Sequence, residues 1–379
     1  MSSTEAPLQL VAVTTWSELS GHLDAWNGLL GKADIGDWFA SPHWVVPWMR
    51  AFGENSPWHL ILGYRNGELV GALPLIGPVP APWGLGTLRQ PVNVQVRRVG
   101  MLAVSATMGD FCNQALQAAI AGAPNHCVEL ARLERRGWFD RTTARITEEN
   151  NWRHLEWDEQ PSAIVDLTQG WEHYLTTRDG KLLRNLRSRR RKIETDSAWE
   201  IHSIDNASAF EGFWQAVLRI EQDSWKHDAQ SALTNEPHVA AFYHDVLEQV
   251  GQNGFLRSHL LTHAGEPVAY TAAVAIGRTC YLLKNSYRAE YRSWSPGMVL
   301  TWHSIEAGAH AGATRYDFLG DVLPWKQDLA TELPAYFSRT VFPRYQVSPQ
   351  LRRFVEHGVK PLVRRSGVLA ALRNKGSRD

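Results

Sequence analysis

Two segments of this chain, about 200 residues apart, follow one plan, and that repetition limits the folds open to it. Trp58 to Ile76 reads as a strand, an Asn66-Gly67-Glu68 turn and a second strand; Leu256 to Ile276 repeats the design around Ala264-Gly265-Glu266. A glycine turn between two apolar runs signals a β-hairpin. A helical segment precedes each hairpin, Ser41 to Phe52 in the first case and His238 to Val250 in the second. The pattern predicts a duplicated α/β module. The first copy takes residues 1–155, with its terminal strand near His126 to Leu133, and the second takes 156–347. The join lies near residues 145–160, and a basic tail occupies 348–379.

At 379 residues there is room for two domains of ordinary size, and no apolar run approaches the length of a membrane span. Lys plus Arg and Asp plus Glu both number 39, so any electrostatic function depends on local clustering, and there is no global bias toward nucleic acid. Cys112, Cys127 and Cys280 lack metal-ligand spacing, and the 15 histidines, His357 included, are scattered, so no metal site is expected. The odd cysteine count points to a reducing compartment. The N-terminal Met-Ser-Ser-Thr-Glu-Ala-Pro has no basic segment followed by an apolar one, which makes the cytoplasm the expected location. No Walker loop or Ser-His-acid order is discernible.

The second half reads in order as a basic helix (Lys181 to Glu194), a strand (Trp199 to Ile204), two helices, the hairpin, and a strand (Thr279 to Ser286). A turn, a helix and a strand (Arg315 to Leu319) then follow. The turn Tyr291-Arg-Ser-Trp-Ser-Pro-Gly-Met298 is suited to an anion. Ser295 is placed as an N-cap, Pro296 suits the first helical position, Gly297 admits close backbone approach, and Arg292 adds a charge. An ordinary well-capped helix start has the same pattern. Met298, Trp302, Ile305 and Ala309 form the buried face of that helix, and Gly312 ends it.

Leu182-Leu-Arg-Asn-Leu-Arg-Ser-Arg-Arg-Arg-Lys192, Ser295-Pro-Gly-Met-Val-Leu300 and Asp317-Phe-Leu-Gly-Asp-Val-Leu-Pro-Trp-Lys326 together resemble the GNAT acyltransferases, in particular those named after the cellulose-biosynthesis protein CelD. The resemblance covers most of residues 35 to 345 and extends to the Fem-type peptidyltransferases, which have a doubled GNAT fold. It implies an α/β doubled GNAT fold and transfer of an acyl group from acetyl-CoA or another acyl-CoA to an amine, with a link to polysaccharide or envelope synthesis. A Fem-type use of aminoacyl-tRNA, or a silent binding protein in polysaccharide assembly, are the alternatives. Trp325 departs from the Tyr or Phe usual before the lysine.

At the matching place in the first half, Ala106-Thr-Met-Gly-Asp-Phe111, the Asp110 carboxylate stands where a phosphate would have to approach, so donor binding is assigned to the second half. Backbone amides from Ser295 to Met298, with Arg292, are the candidate pyrophosphate site. The resemblance implies that Lys326 stabilises the developing oxyanion; a solvent-exposed lysine is the alternative. Asp321 and Glu221 are the candidate general bases, Asp317 reads as structural, and Tyr287 is a candidate proton donor to the thiolate or a packed ring. The basic helix carries seven Lys or Arg residues from Lys181 to Lys192 without an acid, and Leu182, Leu186 and Ile193 sit on one side. With Trp325, its Arg187 and Arg191 are candidate substrate contacts, and anion binding is preferred to nucleic acid because the run has no interleaved aromatics. The tail from Leu351 to Asp379, with Phe354, Val355, Leu362 and Val363, is expected either to stay solvated or to rest on an anionic membrane surface at the inner face.

Overall fold

The computed structural model describes residues 6–33, 35–54, 56–80, 86–93, 95, 98–122, 126–224 and 232–343. The tail, with its expected membrane contact, lies outside them. In chain order the first part contains β1 (Gln9–Val13), α1 (Trp16–Ser20), α2 (Leu23–Lys32), β2 (Ile35–Gly36), α3 (Pro42–Phe52), β3 (Leu60–Arg65) and β4 (Glu68–Leu73). It continues with β5 (Ile76–Pro80), β6 (Gly86–Arg89), β7 (Leu102–Ala103), α4 (Met108–Ala121), β8 (His126–Glu134), α5 (Trp138–Glu149) and β9 (Arg153–Glu159). The second part begins with β10 (Ile164–Asp166), α6 (Gly170–Thr176), α7 (Gly180–Glu194), β11 (Trp199–Ile204), α8 (Phe210–Gln222) and α9 (Pro237–Gln252). It ends with β12 (Ser258–His263), β13 (Glu266–Ile276), β14 (Thr279–Tyr287), α10 (Pro296–His310), β15 (Arg315–Asp317), α11 (Pro324–Leu329) and β16 (Tyr336–Phe342).

Both expected hairpins form, β3–β4 and β12–β13. Their central residues are left-handed, Asn66 and Gly67 at φ 53° and 78° and Ala264 and Gly265 at φ 50° and 79°, the turn whose twist matches that of the strands it joins. The repetition extends to detail. An isolated bridge ties the residue run before each hairpin to the chain beyond its turn, Trp58 to Ile76 and Leu256 to Val274 within β13. Each hairpin also carries an outer antiparallel strand, β1 on β3 and β11 on β12.

The strands form three sheets, β1-β3-β4-β7-β2, β5-β6-β8-β16-β9 and β10-β15-β14-β13-β12-β11. The expected join falls inside β9, which belongs to the second of these. The residues of the last strand, β16, fall within the range expected for the second module, and the strand lies between β8 and β9, antiparallel to both. Its residues are buried along their whole length, so both neighbouring strands gain a hydrogen-bonded partner and neither is left as an open edge there.

The two helices that precede the hairpins, α3 and α9, pack against each other. Trp44 meets Phe242 edge-on at 5.1 Å, and Phe52 meets the same ring at 5.3 Å. One apolar cluster runs through both halves, from Trp38, Trp44 and Trp48 to Phe242, Val246 and Leu247. Burial of such large side chains contributes roughly 1.5–3 kcal/mol each. A separate cluster on the other face of the six-stranded sheet joins Trp171, Leu183, Leu186, Trp302 and Ile305, so the basic helix α7 is anchored by its leucines and presents its charges outward.

Candidate active site

The central feature is a parting of strands. β14 runs parallel to β15 only from Thr279↔Arg315 to Tyr281↔Asp317; β14 then continues to Tyr287 while the other chain turns away at Phe318. Within β14, Ala272↔Lys284 is followed by Ala273↔Leu282, so Leu283 is an extra residue in the ladder and bends the strand at the point of parting. The gap is a cavity of about 480 Å³. Lys284, Ser286 and Tyr287 line one wall, Phe318, Trp325 and Lys326 the other, and Arg292, Ser295, Gly297 and Met298 lie at one end. The structure therefore gathers most of the expected donor and lysine residues around one space.

The turn at the end of the cavity differs from the expectation in two respects. Ser295 is left-handed, φ 51° and ψ 47°, and its side chain makes no capping hydrogen bond. Its carbonyl instead accepts from the Met298 and Val299 amides at 3.1 and 3.2 Å, so those amides are partly committed. Gly297 is required by its own protein neighbour: a Cβ there would stand 2.9 Å from the Tyr287 ring carbon Cδ1. Pro296 is buried at the first helical position, Met298 packs partly against the cluster around Trp302, and Arg292 is exposed. In the first half, Asp110 stands in the first turn of α4 and is paired with Arg65 at 2.9 Å, consistent with an acid occupying the matching place.

Lys326 is half-buried and donates to the carbonyls of Phe318 and Leu319 at 3.2 and 2.7 Å. It thereby fixes the turn where the chain leaves β15, and its charge lies at the junction with a second cavity of about 210 Å³. That cavity lies between the two halves, lined by Trp44, Arg98 and Arg132 from the first half and Tyr243, Lys284 and Asp321 from the second. Leu283, Lys284, Phe318 and Lys326 line both cavities, so the two spaces meet at the bulge. Asp321 is an exposed residue on the wall. Trp325 turns its ring toward Phe318 at 5.6 Å, with the Lys326 ammonium 5.8 Å from its centroid.

Glu221, expected as an alternative base, is in neither cavity. It is buried, accepts from the Tyr270 hydroxyl at 2.6 Å and from the Leu233 amide at 3.0 Å, and holds α8 to the sheet and to the following segment. Two expected arginines are also displaced. Arg187 and Arg191 are exposed, whereas Arg189 on the same helix lines the cavity at the strand parting. Arg190 is committed to Glu194 and Glu306, which ties α7 to α10.

Sequence reasoning missed the charged cluster beneath the second cavity. Arg98 lies 2.5 Å from Asp37 and 3.2 Å from the buried Asp317, and it donates to the Tyr336 hydroxyl at 3.1 Å. Asp317 also accepts from Ser162 and from the Leu319 amide, which makes it the structural residue the sequence suggested. Burial, reinforced by Asp317 and opposed by Arg98, pushes the Asp37 carboxyl up to about 6. Arg132, buried, donates to the carbonyls of Pro161 and Gly320. A third cavity of about 340 Å³ lies on the far side of Arg98 and Arg132. Arg132, Ser295 and Leu319 all have left-handed backbones, at φ 53°, 51° and 51°. Such conformations cost about 1 kcal/mol or more each in a residue with a side chain, and all three stand on cavity walls. No sequence pattern marks these residues, because their partners lie in distant parts of the chain.

The comparisons with known proteins bear on the domain and the fold. Residues 180–327 match the acetyltransferase (GNAT) domain. The architecture is a doubled GNAT fold. The crystal structure of FemX is similar with a TM-score of 0.59 at 14% identity, over 90% of this chain and 99% of that one. A conserved protein of unknown function from Bacteroides thetaiotaomicron VPI-5482 gives 0.55 at 12% identity, over 88% and 100%. L-PGS from Bacillus licheniformis gives 0.50 at 11%, over 90% and 96%. These likenesses concern the fold. No curated protein matches the sequence. The GNAT domain contains the parting of β14 from β15, the turn at Ser295 and Lys326. Among the described residues no cluster of metal-ligating side chains occurs, and no helix is long and apolar enough to cross a membrane.

Proposed function

We propose that this protein transfers an acyl group, with acetyl as the first candidate, from coenzyme A to an amine. The observation that carries the reading is the cavity at the strand parting, with an arginine and a helix N-terminus at one end and a lysine beside a second cavity at the other. A donor laid along β14 would place its phosphates near Arg292, Ser295 and Gly297 and its thioester near the bulge at Leu283. Its apolar neighbours there are Phe318 and Trp325. The amine would enter from the second cavity, between the halves. Attack forms the C–N bond and turns the carbonyl oxygen into an oxyanion, which the Lys326 ammonium would stabilise; breaking the C–S bond then releases the thiolate. Asp321 is the remaining candidate for removing the amine proton; Tyr287, four residues along β14 from the bulge and packed on Gly297 at the phosphate end, is set aside as proton donor to a sulfur placed near Leu283, and the leaving thiolate takes its proton from water.

The acceptor in this reading is an envelope or polysaccharide precursor of the CelD type, handled in the cytoplasm or at the inner membrane face. Arg98, Arg132, Lys284 and Lys326 line the acceptor cavity, which suits an amine carrying an acidic group. Calorimetric titration with acetyl-, succinyl- and long-chain acyl-CoA tests the proposal. Binding of any of them supports it, and failure of all would overturn it. A second reading, aminoacyl transfer from charged tRNA, is favoured by the exposed arginines of α7 and by the likeness to FemX. It predicts saturable tRNA binding that charge reversal at Arg187 and Arg191 abolishes.

A further inference from the structure

The turn at which the chain leaves β15 is held from both halves. Leu319 and Gly320 are left-handed in succession, at φ 51° and 58°, and the carbonyls of Phe318, Leu319 and Gly320 accept from side-chain cations. Lys326, from the second half, donates to the first two, and Arg132, from β8 in the first half, donates to the third at 3.4 Å. The two cations work on one short piece of backbone. Gly320 sits against the ammonium, since a Cβ there would stand 3.7 Å from Lys326 Nζ.

Strand β8 is shaped to deliver Arg132 to this place. Leu133 pairs with Phe337 and Leu130 with Arg339, so Ala131 and Arg132 together face Ser338 of β16, and a bulge of this kind re-aims a side chain. The Arg132 backbone is left-handed there, at φ 53°, and its amide donates to the Ser338 hydroxyl at 3.1 Å. Its guanidinium carbon lies 5.0 Å from the centre of the Tyr336 ring, and Nη2 donates to the Pro161 carbonyl at 3.2 Å as well as to that of Gly320. The residue is 5% exposed. A strained backbone and a charge almost withdrawn from water are costs that a surface arginine does not carry. Together they secure a contact from the first half to the backbone beside Lys326.

We propose that Arg132 is a positioning residue for Lys326. By holding the Gly320 carbonyl it fixes the turn on which the ammonium is seated, so the half that has no donor role sets where the partner of the oxyanion stands. The function of the ammonium rests on the acyl-transfer reading above; the hold on the turn does not. The competing role for Arg132 is direct contact with an acidic group of the acceptor, since it also lines the cavity between the halves.

Labelling tests the hold without any assumption about the reaction. Acetylation of Lys326 by an N-hydroxysuccinimidyl ester, read by peptide mass spectrometry, should be about threefold or more faster in Arg132→Met than in the wild type, with the exposed Lys192 unchanged. Arg132→Gln takes its place if thermal unfolding shows that the Met variant does not fold. Because one nitrogen makes both carbonyl contacts, Arg132→Lys should label within about twofold of the wild type.

Turnover is measured as thiol release from acetyl-CoA with glycine, taurine and phosphoethanolamine, amines that carry a carboxylate, a sulfonate and a phosphate. Arg132→Met should lower kcat about ten- to a hundredfold and leave the acceptor KM within about twofold. In a Lys326→Ala background the same substitution should change kcat by less than about twofold, because both act through one ammonium. A raised acceptor KM with unchanged kcat would overturn the inference in favour of direct acceptor contact. Wild-type labelling of Lys326 in the folded Met or Gln variant would overturn it outright. If the wild type binds no acetyl-CoA and releases no thiol, the acyl-transfer reading falls, and labelling alone upholds or overturns the hold of Arg132 on Lys326.

Discussion

Arg98 and Asp317 lie 3.2 Å apart and belong to different halves of the chain. With Asp37 on its other side, Arg98 is the counter-charge for two carboxylates that are largely out of water. Replacement by methionine leaves both without it. Arg98→Met should cost about 3–5 kcal/mol in urea unfolding, and Arg98→Lys should recover little, because one ammonium cannot span Asp37, Asp317 and Tyr336 as a guanidinium does. A loss under about 1 kcal/mol would mean that the cluster is better hydrated than its burial implies.

Lys326 should act on the intermediate more than on the bound donor. Lys326→Ala should lower turnover by about two to three powers of ten while acyl-CoA affinity stays within about threefold. Since the ammonium also holds the Phe318 and Leu319 carbonyls, affinity and turnover are measured separately, by calorimetry and by thiol release. A change confined to the Michaelis constant of the acceptor would make it an acceptor contact.

Charge at the turn is best tested at Arg292. Substitution of Gly297 would drive a side chain into Tyr287 and confuse binding with packing. Arg292 is exposed, so Arg292→Glu should leave the unfolding temperature unchanged while weakening acyl-CoA binding about tenfold or more at low salt, with the gap narrowing as salt is added. Equal affinity of the two proteins at low salt would exclude Arg292 from the donor site.

His259 gives a pH signature. Burial, with His303 at 4.9 Å adding to it, pulls its pKa down to about 3 from the ordinary 6.5. Between those values the unfolded chain binds a proton that the folded protein does not, so this histidine makes stability fall as pH drops below 6.5, by up to about 1.4 kcal/mol per pH unit. Its contribution is fully present above 6.5. His259→Gln should flatten the acid side of the stability profile by about that slope, read from urea midpoints at pH 5 to 7.5.

Local chemistry made much of this protein legible in its sequence. The hairpins are marked by Asn66-Gly67 and Ala264-Gly265, and the turn before α10 by Pro296 and Gly297, because those conformations and positions restrict residue choice. The face of a helix was less certain: the periodicity that seats Leu186 and Ile193 left one arginine undistinguished from the next, and it is Arg189, not Arg187 or Arg191, that lines the cavity at the strand parting. Glu221 was misplaced because a carboxylate in a helix reads the same whether it meets substrate or Tyr270. The cluster of Arg98, Asp37 and Asp317 was invisible for a different reason: Arg98 and Asp317 are 219 positions apart, and nothing local to either announces the other. Ser295 is the opposite case, a residue suited to capping that the close packing of the turn places in a left-handed conformation instead.

The placement of β16 has a consequence for how this chain is born. Strands β8 and β9 are complete once residue 159 has been made, yet the strand that fills the space between them is the stretch from Tyr336 to Phe342. On the ribosome the early half must wait, with two unsatisfied strand rims, while nearly the whole second half is synthesised. At about 5–20 residues per second that wait lasts on the order of ten seconds or more. Cutting the gene between the halves would therefore yield a first fragment that lacks the middle of its own sheet and exposes the rims through which strands of other chains can pair.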